Sequence, residues 1–404
     1  MVARSMRLQV LLLASAQALF QTASVLVMTV GALAGGQIAP APELATAPIA
    51  AMFLGTAMAT VPASMWMARV GRRIGFIAGA LVGSAGGLIA AGGIWTGSLS
   101  ILAFGTFLVG AYQGFAQFYR FAASEVADLA FRPRAISLVL AGGIVAALLG
   151  PTLGRLGGPL LRPDYAGSFL LLTAVSLLAA SLLLGLRVPQ SVTASTETPG
   201  TAAAGRPLLT IVRQPAYAVA LFVATTGYGI MILGMTATPL AMIHDHHSLS
   251  DASLVIQLHV LGMFLPSFFT GSLITRFGVS RVMLTGVFVL LGYVAVCATS
   301  TGLASFGVAL ALLGVGWNFL YVGGTTLLTT THTAAERGRA QGFNDMTIFA
   351  VGLTCSLGAG VLLQSIGWEA LNLLLLPWLA IAALALLWFG AGQNRREAAR
   401  ATMG

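Results

Sequence analysis

Runs of twenty or more apolar residues recur from one end of this chain to the other. A helix of that length spans the roughly 30 Å hydrocarbon core of a bilayer. Lipid offers no partner for backbone N–H and C=O groups, so such segments form helices that satisfy their own backbone. Only 8% of the 404 residues are charged and 57% are hydrophobic, against about 25% charged in a soluble domain. Such a chain cannot cover a water-facing surface of its own size, which excludes a soluble enzyme. Apolar segments near 8–34, 45–68, 74–95, 100–121, 135–158, 167–187, 216–243, 252–275, 281–300, 303–330, 342–366 and 369–391 predict an all-α membrane protein of 12 transmembrane helices. The opening MVARSMR leads straight into the first apolar run, and with no polar stretch after it reads as the first span and not as a signal peptide.

The formal net charge is +9, which in another chain would suggest nucleic acid. Here all twenty basic residues are arginines, and nearly all sit in short segments between apolar runs. Arg69, Arg72, Arg73, Arg132, Arg134, Arg187, Arg206, Arg213, Arg276, Arg281, Arg337, Arg339, Arg395, Arg396 and Arg400 fall on the N-terminal side of the membrane, and only Arg155 and Arg162 near the other. By the positive-inside rule both termini are expected in the cytoplasm of a multi-pass inner-membrane protein, with the bilayer as its solvent and no nucleic-acid partner. A monomer is expected.

The longest polar stretch, VPQSVTASTETPGTAAAGRP at 188–207, reads as a flexible linker. It divides the chain into an N-terminal six-helix bundle (1–187), a cytoplasmic linker (188–213) and a C-terminal six-helix bundle (214–404). The halves repeat. Arg69-Val-Gly71 after the second span is matched by Arg276-Phe-Gly278 after the eighth, and Arg132-Pro-Arg134-Ala135 by Arg337-Gly-Arg339-Ala340. Both pairs stand about 205 residues apart, the mark of two pseudo-symmetric six-helix halves.

With these loops on the page the chain resembles the major facilitator superfamily over its whole length, through the 6+6 split and a degenerate G-x-L-x-D-R-x-G-R signature. The copy at 271–281, GSLITRFGVSR, keeps the glycine, leucine, arginine and glycine but has Thr275 in place of the acid; the first copy has Ala68 there. The resemblance implies the major facilitator fold, with alternating access around a midplane site.

The cargo must be sought among polar or unusual residues inside the spans, where they are costly to keep. The seventh span carries Met231 and Met235, the eighth His259 and Met263. Each pair has i, i+4 spacing and so shares a helix face. Counting about 1.5 Å per residue from the outer ends, Met235 and Met231 lie about 12 and 18 Å deep, and His259 and Met263 about 10 and 16 Å. Three thioethers and an imidazole at matching depth form a soft donor set suited to Cu(I) and poorly suited to Mg²⁺ or Na⁺. Methionine is equally the gap-filler of apolar helices, so packing produces the same pattern. The two motifs, within text such as LHVLGMFLPSFFTG, also resemble the copper importers of the CcoA type within the superfamily. That resemblance implies Met231, Met235, His259 and Met263 as metal ligands, and copper import for cbb3-type cytochrome c oxidase biogenesis. Copper is then the transported substrate and no cofactor is expected, with a periplasmic copper donor and a cytoplasmic copper chaperone as partners.

The rival reading is an organic solute such as riboflavin or a drug, and related members of the family are riboflavin importers. Tyr112, Gln113, Gln117, Tyr228, Trp317, Asn318 and Tyr321 are the side chains to contact it. A third reading, a non-transporting membrane sensor or assembly partner for an oxidase, has no added output domain to support it. Cys297 and Cys355, both inside apolar runs, read as buried small hydrophobes. The loop His244-Asp245-His246-His247 is an ordinary polar loop or a metal vestibule. The glycines of 142–154 read as close-packing residues or as an antiporter motif. Arg120, Glu125, Asp128, Glu336 and Asp345, at span ends, are expected to form gating contacts between the halves, with proton coupling as the minor reading for Asp345. No Walker A, G-x-S-x-G or H-E-x-x-H sequence occurs, so neither an ATP-driven pump nor any other enzyme is expected.

Overall fold

The computed structural model describes residues 2–128, 131, 135, 138–139, 141–187, 206–333 and 336–401. Its regular elements are helical: α1 (Val2–Ile38), a 3₁₀ turn (Pro42–Thr46), α2 (Ala47–Val70), α3 (Arg72–Trp95), α4 (Leu99–Ala116), α5 (Tyr119–Val126), α6 (Gly142–Gly157), α7 (Ala166–Leu183), α8 (Leu208–Val212), α9 (Pro215–His244), α10 (Leu249–Phe264), α11 (Ser267–Phe277), α12 (Val279–Cys297), α13 (Leu303–Thr329), α14 (Arg337–Leu373) and α15 (Leu375–Ala401). Among the described residues nine helical stretches are long and apolar enough to cross a membrane, and the bent pair α10 with α11 makes a tenth. One of the nine, Arg339–Gly392, contains both of the last two expected spans, and the expected fifth is present as the shorter α6. Each of the twelve apolar segments therefore carries a helix.

Two span boundaries have identifiable causes. The eighth span, expected as one helix, is bent by 41° between α10 and α11. Pro266 sits in the break, where it has no N–H for the helical ladder and its ring crowds the preceding turn. The eleventh gives way near Gly367, whose φ of 77° and ψ of 175° interrupt α14. The linker at 188–205, with Arg132 and Arg134 of the second repeated loop, lies outside the described residues.

The first repeated loop is a structural repeat as well as a sequence one. Gly71 ends α2 at φ 91°, ψ 156°, and Gly278 ends α11 at φ 86°, ψ 149°. Both values lie in the region that essentially only glycine occupies. A Cβ at Gly278 would touch nothing within 4 Å, so Gly278→Ala tests the backbone alone. It is expected to lower stability by about 1–3 kcal/mol, read as a lower melting temperature in detergent. A wild-type melting temperature would show that this turn is not what holds the chain here.

The described residues form two compact units. The first takes residues up to Arg187 together with Met235–Val260 and Ser356–Ser365; the second takes Arg206 to Gly234, Leu261–Cys355 and Ile366 onward. In the first, α2 and α3 pack on α4, α3 on α7, and α1 on α6 and α7. Its core gathers Leu13, Phe20, Phe76, Tyr112, Tyr119 and Leu183. Gly150 of α6 lies against Val25 and Thr22 of α1, the close approach through small residues that binds helices in lipid. Gln257 of α10 belongs to this unit and donates from Nε2 to Thr152 Oγ1 at 2.8 Å and to the Leu148 carbonyl at 3.2 Å. In the second unit α12 packs on α13 and α15, and α11 on α12 and α13; a hydrogen bond joins Tyr293 to Asn372. The outer surface is inverted relative to a soluble protein. Val61, Leu384 and Trp388 are 64%, 65% and 64% exposed, which suits contact with acyl chains.

Carboxylates expected to bridge the halves instead pair inside a unit. Glu125 meets Arg72 at 2.9 Å, and Glu336 accepts from Arg206 Nε and Nη2, both at 2.8 Å. Asp128 caps the turn that follows α5, accepting from the Phe131 N–H at 2.8 Å.

Candidate functional site

Midway along the helices of the second unit, four aromatic rings come together. Tyr228 stands thirteen residues past the start of α9, and Trp317 fourteen past the start of α13. Each is thus about 20 Å along its helix at about 1.5 Å per residue. Trp317 and Tyr321 share one face of α13 by their i, i+4 spacing. Their rings stack with centroids 4.9 Å apart and planes 12° apart. Tyr228 tilts against Tyr321 at 6.1 Å, and Phe264, the last residue of α10, meets Trp317 edge-on at 6.4 Å. Trp317 is 7% exposed and Tyr228 9%, while Phe264 and Tyr321 are half-buried. These contacts are of the kind worth about 0.5–1.5 kcal/mol each beyond area burial.

The backbone arrangement behind the rings explains why they meet. A Cβ at Gly324 would stand 2.9 Å from the Ala220 carbonyl oxygen and 2.9 Å from Ala224 Cβ. Only a bare glycine lets α13 approach α9 this closely, one turn from Tyr321. The break in the eighth span presents Phe264, and Asn318 fixes that break. Asn318 Nδ2 donates to the Met263 carbonyl at 2.8 Å and to Ser267 Oγ at 2.7 Å. Its Oδ1 accepts from Thr270 Oγ1 at 2.6 Å. The amide is 0% exposed, and its hydrogen bonds all go to α10 and α11, so it braces the break between them.

One polar atom on this aromatic wall is left over. The indole Nε1 of Trp317 is buried and has no hydrogen-bond partner. Asp345 of α14 accepts from Asn344 Nδ2 at 3.1 Å.

The residues expected to bind metal are all buried: His259 at 0%, Met231 and Met235 at 3%, and Met263 at 9%. Met235 and His259 belong to the first unit, Met231 and Met263 to the second. Among the described residues no group of three or more His, Cys, Asp or Glu side chains is placed to hold a metal ion, which includes the His244–His247 loop. Cys297 and Cys355 are buried free thiols. Of the side chains named for an organic cargo, Tyr228, Trp317 and Tyr321 come together. Tyr112 is 0% exposed in the first unit's core, packed on Phe20 at 5.2 Å. Gln113 lies 3.3 Å from Thr56 Oγ1 and Gln117 is half-buried in the same unit. Phe264 joins these rings although the sequence reading does not single it out; its signal is Pro266 two residues on, which sits in the break of the eighth span.

The Major Facilitator Superfamily profile matches residues 219–403. The riboflavin transporter RfnT of Brucella anthropi is 41% identical over 388 residues, 95% of this chain and 96% of that one. The chain belongs to the major facilitator superfamily, as a multi-pass membrane protein. It is also similar to the uncharacterized MFS-type transporter YdeG of Bacillus subtilis, 28% identical over 86% of this chain and 84% of that one. Among solved structures, the nucleoside transporter NupG superposes with a TM-score of 0.70 at 14% identity, covering 93% of this chain and 99% of that one. The Escherichia coli fucose:proton symporter FucP gives 0.61 at 17%, covering 95% and 99%. Both likenesses concern the fold.

The copper reading is corrected by the first of these relatives. A near-full-length match at 41% identity is to a riboflavin transporter, and neither copper import nor a role in cytochrome oxidase biogenesis stands against it. The physical reason is that unbranched thioethers at i, i+4 fill gaps between apolar helices as readily as they would bind a soft ion, so the spacing did not discriminate.

Proposed function

We propose that this chain is a secondary transporter for a flat, heteroaromatic organic solute of the riboflavin class. The observation that carries the reading is the 41% identity to the riboflavin transporter RfnT across 95% of the chain. The rings of Tyr228, Phe264, Trp317 and Tyr321 support it, because stacking on aromatic side chains is how proteins hold planar ring systems at little conformational cost. The arginine-rich loops favour a bacterial inner-membrane location with both termini in the cytoplasm. The protein moves its cargo unchanged and acts as a transporter, not as a catalyst.

Proteoliposomes holding the purified chain are expected to take up labelled riboflavin saturably, with excess unlabelled riboflavin suppressing the signal. Uptake no greater than that of protein-free liposomes would withdraw the reading.

A further inference from the structure

Tryptophan in a transmembrane helix ordinarily finds a partner for its N–H, since a buried donor left unmet costs about 1–3 kcal/mol. Trp317 departs from this. Its ring is 7% exposed, its Nε1 reaches no acceptor, and the same ring forms the middle of the aromatic wall, between Tyr321 at 4.9 Å and Phe264 at 6.4 Å.

We propose that the Trp317 indole N–H is the specificity-determining donor of a cargo subsite. It gives a hydrogen bond, in the plane of the indole, to a ring carbonyl or ring nitrogen of a planar solute that meets the indole edge-on. This rests on the organic-solute reading above and adds a selection rule to it. A site built around a buried donor favours rings that carry an acceptor, because an acceptor-free ring of the same size leaves the donor unmet. The donor is unsatisfied in the empty protein and satisfied in the loaded one, so the difference contributes to binding.

The test uses the full-length chain in proteoliposomes with riboflavin as the probe. Trp317→Phe keeps an aromatic ring, deletes the donor and trims the second ring of the indole. It is expected to raise the KM for riboflavin about tenfold with the maximal rate little changed. Phenyl leaves part of the buried indole volume unfilled, so the empty protein is expected to melt lower, and uptake is normalised to folded protein. Trp317→Ala, which loses stacking as well, is expected to weaken uptake about a hundredfold. A purely structural tryptophan would behave otherwise: a wild-type KM in Trp317→Phe, or a KM raised only in step with lost folded protein, overturns the subsite. Absence of riboflavin uptake by the wild-type protein overturns the underlying reading and the subsite together.

Discussion

Asn318→Leu is expected to lower stability by about 2–4 kcal/mol and to weaken cargo binding at the same time. The side chain makes three hydrogen bonds at full burial, to the Met263 carbonyl, Ser267 Oγ and Thr270 Oγ1. Side-chain hydrogen bonds between membrane helices average only about 0.6 kcal/mol, so three alone would give about 2. The Met263 carbonyl raises the figure, because it lies at the break in the eighth span, and an orphaned buried acceptor costs about 1–3 kcal/mol. Thr270 is the least affected, since its hydroxyl is also 2.7 Å from the Pro266 carbonyl. Thermal unfolding in detergent measures the first effect and the KM for riboflavin the second, because Phe264 moves when the break relaxes. A variant with wild-type values of both would remove Asn318 from the argument.

Glu336→Gln is expected to lower the melting temperature by a few degrees at neutral pH, and the deficit should vanish in acid. Glu336 is 2% exposed and accepts from Arg206 through its backbone N–H, Nε and Nη2, each at 2.8 Å, and from the Thr333 N–H at 3.0 Å. Arg206 and these N–H groups hold the carboxyl well below the usual carboxylate range. A lowered folded value means that the pair's contribution is complete above the unfolded pKa, about 4.3. It is lost as pH falls through the folded value. Wild type and variant should therefore differ most at pH 6–8 and converge as the pH drops below about 4. A deficit that persists undiminished in strong acid would show that shape and not charge explains it. Arg206 Nη2 and Gln214 Nε2 also share the Thr331 carbonyl, each at 3.0 Å, so the cluster ties the start of the second unit to the connection between α13 and α14.

The fold was legible because lipid imposes one rule on every span. Apolar length alone placed a helix in each of the twelve expected segments, and the paired Gly71 and Gly278 mark the repeat that the backbone reproduces. The cargo was less legible, because burial strips side chains of the signals that distinguish roles. Depth and spacing single out Met231, Met235, His259 and Met263, but packing satisfies both equally well. Tyr228, Trp317 and Tyr321 were named as contacts for an organic solute and do form one wall, since position along a helix fixes both depth and face. Asn318 was named with them, yet its amide is spent on a neighbouring helix. A sequence states that a residue can donate and accept, but the partners depend on where a proline two spans away lets a carbonyl go free. Tyr112 shows the same limit, because its ring closes a core in the other unit.

The stacking of Trp317 on Tyr321 gives the protein an optical property of its own. Indole emits in the near ultraviolet, where an isoalloxazine ring absorbs. A flavin lying against this wall would draw off the emission of Trp317 by energy transfer. The chain holds six tryptophans, and subtracting the spectrum of Trp317→Phe isolates this one. Occupancy then becomes a fluorescence signal from unlabelled protein, present wherever in the transport cycle the ring is seated.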